Sequence, residues 1–126
     1  MRLLTLSLVF SAGFLGTASF AEDLRRLNDA EIKVALTNQT AISTDPEWPY
    51  RQYFRSDFTT IFAEPGKMST LGKWKTGSDL YCSLWGAGEW ECYQLWETTE
   101  GVVWIAELNA VRYPARLVDG EQLVEK

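Results

Sequence analysis

The chain has two cysteines, and both lie in one short stretch with the pattern of a β-hairpin. In residues 79–96, DLYCSLWGAGEWECYQLW, two strand-like runs are joined by Gly-Ala-Gly. A three-residue loop there places Cys82 directly opposite Cys92. Opposed residues on antiparallel strands have Cβ atoms roughly 4.5–5.5 Å apart, which is close to disulfide geometry. The spacing therefore predicts a Cys82–Cys92 disulfide across the hairpin.

The same register sorts the hairpin into two faces, because side chains alternate along a strand. Tyr81, Trp85 and Tyr93 share one face, whereas Trp90 lies with the cysteines on the other. A cluster of large aromatic side chains can form a contact surface for carbohydrate, lipid or protein, or it can fill a core. We predict a ligand or partner surface at Tyr81, Trp85, Trp90 and Tyr93.

The chain begins like an export signal. Arg2 gives a positive start, residues 3–14 form an apolar run, and residues 19–21 match a small-x-small cleavage site. We therefore predict a cleaved signal peptide at 1–21 and a single domain at 22–126, located in the periplasm or secreted, with no stable membrane insertion after cleavage. The alternative is an uncleaved anchor, because residues 3–21 are uncharged and nearly reach the ~20 residues that span a bilayer. In an oxidising compartment the two cysteines would be bridged.

The charge balance argues against nucleic acid and anionic lipid as partners. The chain has 12 basic and 17 acidic residues, and loss of Arg2 with the signal leaves a net charge of −6. Both kinds of partner are bound through basic surfaces. The sequence also has no histidine, which excludes Ser-His-Asp triads, Cys-His pairs and the usual zinc sites. We assign no catalytic residue, no metal and no cofactor.

Carboxylates are the remaining candidates for acid-base chemistry. Glu89, Glu91, Glu97 and Glu100 lie around the hairpin and the turn after it. A glycosidase needs two carboxyl groups roughly 5–9.5 Å apart across a cleft. Glu89 and Glu91 instead flank a turn and alternate with apolar positions, as solvent-facing residues do. An enzyme that acts on glycans of the cell envelope is therefore the alternative interpretation.

The remaining pattern predicts a mainly β (α+β) fold. Asn28 with Glu31 resembles a capping box and begins a helix at 29–37, and Asn38 suits the residue that closes it. Residues 40–49 are predicted to be loop. Strands are expected at 50–55, 58–63, 70–76, in the two arms of the hairpin, at 102–108 and at 111–118, the last as an edge strand because it contains Pro114. Trp74 and Trp104 are predicted core residues. The expected fold is one N-terminal helix packed on a curved antiparallel sheet or incomplete barrel of six to seven strands.

Several short motifs together resemble a known group of proteins. They are Leu27-Asn28-Asp29-Ala30-Glu31-Ile32, Tyr53-Phe54 with Asp57 and Thr59-Thr60, Gly72-Lys73-Trp74, Tyr81-Cys82-Ser83-Leu84-Trp85 and Cys92-Tyr93. The combination resembles small exported alphaproteobacterial proteins of unknown function, which implies an exported all-β domain with a helical opener and brings no activity. Gly72-x-Trp74 is also similar to the lipocalin signature. In lipocalins that motif lies on the first strand, whereas here it is mid-chain, so an incomplete barrel is expected.

These observations predict an exported, non-enzymatic binding or interaction domain of the bacterial envelope. Its partner would be a protein, a glycan or a small apolar ligand. The alternatives are the carboxylate-based enzyme and a purely structural envelope protein.

Overall fold

The structure is a computed structural model that describes residues 24–124. These residues form one short helix and nine strands. In chain order the elements are β1 (Arg25–Arg26), α1 (Asp29–Leu36), β2 (Gln39–Ser43), β3 (Arg51–Phe54), β4 (Thr59–Ala63), β5 (Thr70–Gly77), β6 (Leu80–Trp85), β7 (Glu91–Glu97), β8 (Val102–Ala106) and β9 (Arg112–Asp119).

The strands close into a barrel. From β2 to β9 each strand pairs antiparallel with the next one along the chain, and β9 returns to pair with β2. The closing pair runs from Gln39 opposite Asp119 to Ser43 opposite Ala115. The result is an eight-stranded up-and-down barrel, and β1 adds a ninth strand by pairing with the end of β7.

The closed ring shows that the prediction of an incomplete barrel of six to seven strands is wrong. Sequence analysis missed two strands, the short β1 and the barrel strand β2, most of which lies in the predicted loop. Apart from Thr40 and Ile42 its residues are weak strand formers, and the prolines at 46 and 49 favour irregular structure. Asn38 adopts the left-handed backbone conformation, φ 61°, and turns the chain from helix to strand. β2 is then held by hydrogen-bonded partners on both sides, so tertiary pairing decides its conformation.

The last strand is not an edge, contrary to the prediction made from Pro114. β9 is paired with β8 on one side and with β2 on the other. Thr44 donates its backbone N–H to the Pro114 carbonyl at 3.2 Å, so the backbone polar groups of Pro114 face the β2 side. β2 ends at Ser43, just before this point. Pro114 therefore lacks an N–H at a position where the hydrogen bonds between β2 and β9 have already ended. This explains why a strand with partners on both sides tolerates a proline.

A capping box begins α1, as predicted. The Asn28 side chain accepts the backbone N–H of Glu31 at 3.0 Å, and the Glu31 carboxylate accepts the N–H of Asn28 at 3.1 Å. These bonds satisfy two donors that the start of a helix otherwise leaves free. The helix ends at Leu36, one residue before the predicted end. Ile32 and Leu36 are fully buried and join the core at one end of the barrel.

The barrel interior divides into two halves. The half next to α1, called the closed half below, is filled by side chains that have almost no exposure. Its members are Leu27, Ile32, Leu36, Ala41, Phe54, Trp74, Leu95, Val102 and Ala115. Trp74 and Trp104 are 1% and 5% exposed, which confirms their predicted core positions. α1 thus covers a packed end, and any free space must lie at the other end.

The hairpin of β6 and β7 has the predicted register. Cys82 lies opposite Cys92, and the two form the predicted disulfide. In the turn, the backbone N–H of Gly88 donates to the Trp85 carbonyl at 3.1 Å. The bridge lies on the outer face, because the adjacent residues of both strands point into the barrel. A disulfide of this kind is typical of proteins outside the cytoplasm.

The predicted signal peptide at 1–21 lies outside the described residues. The cleavage site after Ala21 therefore stays a prediction. Between residues 24 and 124, no helix has the length and apolar character needed to cross a membrane.

Candidate functional site

The other half of the interior, called the open half below, contains a cavity of about 460 Å³. It lies at the barrel end opposite α1, the end that carries the hairpin turn and the loop between β2 and β3. Small-molecule sites typically have volumes of about 300–1,000 Å³. The lining residues are Trp48, Tyr50, Gln52, Phe62, Thr70, Tyr81, Ser83, Trp85, Glu91, Tyr93, Trp104 and Tyr113.

Eight aromatic residues line this cavity, and seven of their rings form a continuous series, called the aromatic wall below. In order, the rings belong to Trp85, Phe62, Tyr50, Trp48, Tyr113, Tyr93 and Tyr81. Successive ring centroids are 5.0–6.1 Å apart, within the range of favourable aromatic pairs. Because the first and last members both lie on β6, the series runs right round the barrel.

One polar gap interrupts the aromatic wall. Ser83 lies between the two ends of the series on β6, and it is paired across the strands with Glu91 of β7. Ser83 is 3% exposed, whereas Glu91 is exposed, so the carboxylate is the outer member of the gap. The Tyr93 hydroxyl donates to the Glu91 carboxylate at 3.3 Å. Glu91 is the one charged side chain among the described residues that line the cavity.

Gln52 orders the inner boundary of the cavity. Its side-chain nitrogen donates to the Tyr81 hydroxyl and to the Thr60 hydroxyl, both at 3.0 Å. The Thr60 hydroxyl donates in turn to the Tyr53 carbonyl at 2.8 Å. Within residues 24–124 the buried indole N–H of Trp104 has no hydrogen-bond partner. An unpaired buried donor costs about 1–3 kcal/mol, so this N–H lowers the stability of the barrel at the inner boundary of the cavity.

Trp48 reaches the mouth of the cavity from the loop between β2 and β3. Its ring is 39% exposed and lies 5.0–6.1 Å from the rings of Tyr50, Phe62 and Tyr113. Its indole N–H donates to the Glu64 carboxylate at 3.1 Å. Trp48 therefore connects rings from different strands and is held in place by the turn after β4.

Gly72 makes room for Trp85, which lies opposite it on the neighbouring strand. A Cβ atom at Gly72 would lie 2.5 Å from Cε3 of Trp85 and 2.8 Å from the Leu84 carbonyl oxygen. Contacts this short require the ring or the backbone to move. The glycine of the G-x-W motif thus seats a member of the aromatic wall, while Trp74 of the same motif fills the closed half.

Burial raises the pKa of three tyrosines in the aromatic wall. Loss of contact with water is the main cause at Tyr50, Tyr81 and Tyr93. The pKa of Tyr93 rises to about 12, and the negative charge of Glu91 is the second cause. These phenols are neutral at physiological pH, so they can donate hydrogen bonds in an environment that disfavours negative charge.

The structure divides the predicted aromatic surface of the hairpin. Tyr81, Trp85 and Tyr93 point inward and line the cavity. Trp90 is 39% exposed on the outer face, where Lys75 Nζ lies 4.1 Å from its ring centroid. There it lines a separate groove that includes Phe58. Trp90 is therefore not part of the same site as the other three residues.

Sequence analysis missed the wall residues Trp48, Tyr50, Phe62 and Tyr113. They lie far along the chain from the hairpin. An available signal was the alternation of Tyr50, Gln52 and Phe54, which all point inward on or next to β3. That signal identifies an inner face but not its neighbours, because those depend on the closure made by β2.

The carboxylates near the hairpin are divided between the barrel ends. Glu91 lines the cavity, and Glu89 lies in the β6–β7 turn beside it. Glu97 is at the other end, where Arg25 donates to its carboxylate at 3.1 Å, and Glu100 is in the turn after it. The described residues also contain no group of three or more His, Cys, Asp or Glu able to hold a metal ion. The cavity lining therefore supplies one of the two carboxylates that a glycosidase uses.

Comparisons of the chain with protein-family models, with curated proteins and with solved structures found no match. The main features of the site are a volume suited to a small molecule, an aromatic wall and one carboxylate at the mouth.

Proposed function

We propose that the protein is an exported, non-enzymatic binding domain of the bacterial envelope that holds a small, largely apolar ligand in the open half of its barrel. The observation that carries this proposal is the cavity of about 460 Å³ enclosed by the aromatic wall. The interior of an eight-stranded barrel is wide enough to be filled by side chains or to hold one small ligand. Here the closed half is filled by side chains, and we propose that the open half holds the ligand.

The arrangement of the rings supports binding rather than core packing. Large side chains could fill the open half if they met at the barrel axis. Instead, neighbouring rings contact one another around the wall, as Tyr50 does with Phe62 at 5.2 Å, and leave the middle free. A ligand placed there would gain about 25 cal/mol for each Å² of apolar surface removed from water.

Export is supported by two independent features. The Cys82–Cys92 bridge is typical of proteins outside the cytoplasm, and the chain begins with a stretch that matches a signal peptide. The resemblance to small exported alphaproteobacterial proteins agrees with both. A periplasmic or secreted binding domain fits these features together.

The two alternatives are less well supported. Glu91 is the one carboxylate of the cavity lining within residues 24–124, so a two-carboxylate mechanism has no evident second member there. A purely structural barrel would be expected to fill this end with side chains as it fills the closed half, whereas the rings of the aromatic wall leave the middle free. A binding function accounts for the cavity better than either alternative.

A blocking substitution tests the proposal. Thr70 lies at the mouth and lines the cavity, whereas Lys73 is on the same strand and faces outward. We expect the neutral fluorescent probe N-phenyl-1-naphthylamine to bind the purified protein with one-to-one stoichiometry. Thr70→Trp should weaken binding at least about tenfold because the new ring occupies the mouth, and the matched control Lys73→Trp should not.

Two results would contradict this proposal. One is a wild-type protein that does not bind the probe at all. The other is equal binding by wild type and Thr70→Trp when far-UV circular dichroism and urea unfolding show that the variant is folded.

A further inference from the structure

The cavity is enclosed by the kinds of ring that bind cations best. The faces of aromatic rings carry partial negative charge, and tryptophan and tyrosine attract a cation within about 6 Å of the ring centroid. The outer face of this barrel contains an example of such a contact, since Lys75 Nζ lies 4.1 Å from the ring centroid of Trp90. In the open half the aromatic wall offers similar rings without a basic side chain in the described lining.

The charge on the described cavity lining is negative. Its single charged group is the carboxylate of Glu91, which lies opposite Ser83 in the polar gap and accepts the Tyr93 hydroxyl. Around the mouth, Glu64 adds a second carboxylate that accepts the Trp48 indole N–H, and Lys67 lies 3.6 Å from that carboxylate. The polar gap therefore combines a carboxylate with aromatic rings on both sides.

Nearby carboxylates also affect the pKa values of the tyrosines in the aromatic wall. The charge of Glu91 contributes to the raised pKa of Tyr93, and the charge of Asp45 contributes to that of Tyr50, in both cases after burial. Burial, the main cause, disfavours a charge of either sign, whereas the negative charge of Glu91 favours a positive charge beside it. A cationic group is therefore expected next to this exposed carboxylate, in the polar gap, rather than deep in the cavity.

We infer that the ligand of the open half is an organic cation, an ammonium group joined to an apolar or aryl body, with its charge in the polar gap beside Glu91 and between the rings of Trp85 and Tyr93. The apolar body would lie against the rest of the aromatic wall. This inference rests on the proposed binding function and names its ligand class.

Isothermal titration calorimetry with two probes of the same shape tests the inference. Phenyltrimethylammonium carries a quaternary ammonium, and tert-butylbenzene replaces its nitrogen with carbon. We expect the purified protein to bind the cation roughly tenfold more tightly than the neutral probe, because only the cation gains from the rings and the carboxylate.

The outcomes separate the two proposals. If the neutral probe binds as tightly as the cation or more tightly, the ligand class is wrong and the binding function stands. If neither probe binds, and N-phenyl-1-naphthylamine also does not, both proposals are wrong. Preference for the cation that disappears in Thr70→Trp supports both.

A matched pair of variants places the charge. Glu91→Gln removes the carboxylate from the polar gap, while Glu89→Gln removes one from the adjacent turn outside the lining. Since Glu91 is exposed, we expect a loss of roughly threefold to fivefold in affinity for phenyltrimethylammonium in Glu91→Gln and little change in Glu89→Gln. Affinity for tert-butylbenzene should be the same in all three proteins. Equal effects of Glu91→Gln on both probes would overturn the assigned role of the carboxylate.

Discussion

The two halves of the barrel interior are built on the same eight strands but have different contents. In the closed half Phe54 is fully buried, and the ring of Trp74 lies 5.7 Å from it. In the open half a ring of similar kind, Phe62, stands in a wall around free space. The difference indicates that stability is concentrated next to α1, while the opposite end contains free space.

The comparison is tested most strongly by two matched phenylalanine substitutions. Phe54→Ala removes a fully buried ring and should lower the free energy of unfolding by about 3–5 kcal/mol. Phe62→Ala enlarges a space that already exists, so its cost should be roughly half of that or less. Urea unfolding measures both. Equal losses would mean that the two halves are packed alike and would contradict the division proposed here.

The disulfide gives the next largest effect and separates stability from binding. The double variant Cys82→Ser, Cys92→Ser opens a loop with a sequence separation of 10. We expect the free energy of unfolding to fall by about 3 kcal/mol in the loop-entropy model. Because the bridge lies on the outer face, the folded variant should bind N-phenyl-1-naphthylamine as wild type does. A loss of probe binding by the folded variant would show that the bridge shapes the cavity.

The two glycines of β5 provide a smaller and more local test. Gly72→Ala should displace the Trp85 ring and cost about 1–3 kcal/mol, with weaker probe binding. Gly77→Ala is the control, since no atom lies within 4 Å of an added Cβ there. Thermal unfolding and probe titration of both variants measure the difference. If the two variants have the same thermal stability and the same probe affinity, the close packing of Trp85 on Gly72 contributes to neither property.

The wall tyrosines predict a modest loss of stability at alkaline pH. The folded-state pKa of Tyr93 is about 12, above the value near 10 of an unfolded chain. The unfolded state therefore loses its phenolic proton first. Stability from this group is fully present below about pH 10 and is lost as the pH rises toward 12. The free energy of unfolding, measured between pH 8 and 11, should fall less steeply with pH in Tyr93→Phe than in wild type. An identical fall in both proteins would contradict the burial of this phenol.

Sequence patterns predicted the local features of the fold well. The opposition of Cys82 and Cys92, the two faces of the hairpin and the Asn28 capping box each depend on residues close together in the chain. Trp74 was predicted to be core, and it is, because its strand alternates clearly between apolar and charged residues.

Closure of the barrel could not be predicted in the same way. β2 contains few strong strand formers and exists because β3 and β9 hold it on both sides. Without that strand the inner face has no partners across the barrel, so Trp48 and Tyr113 could not be placed with Trp85 and Tyr93. For the candidate site, sequence analysis identified the three members of the aromatic wall that lie in the hairpin. The other four are brought to the cavity by long-range strand pairing.

The six tryptophans allow the central claim to be tested directly by following their indole N–H signals in NMR during titration with N-phenyl-1-naphthylamine. If the ligand binds in the open half, the signals of Trp48, Trp85 and Trp104 should shift together and saturate at one equivalent. Those of Trp74 and Trp90, in the closed half and on the outer face, should stay in place. Shifts confined to Trp90, with Trp48, Trp85 and Trp104 unmoved, would place binding on the outer groove and contradict the account.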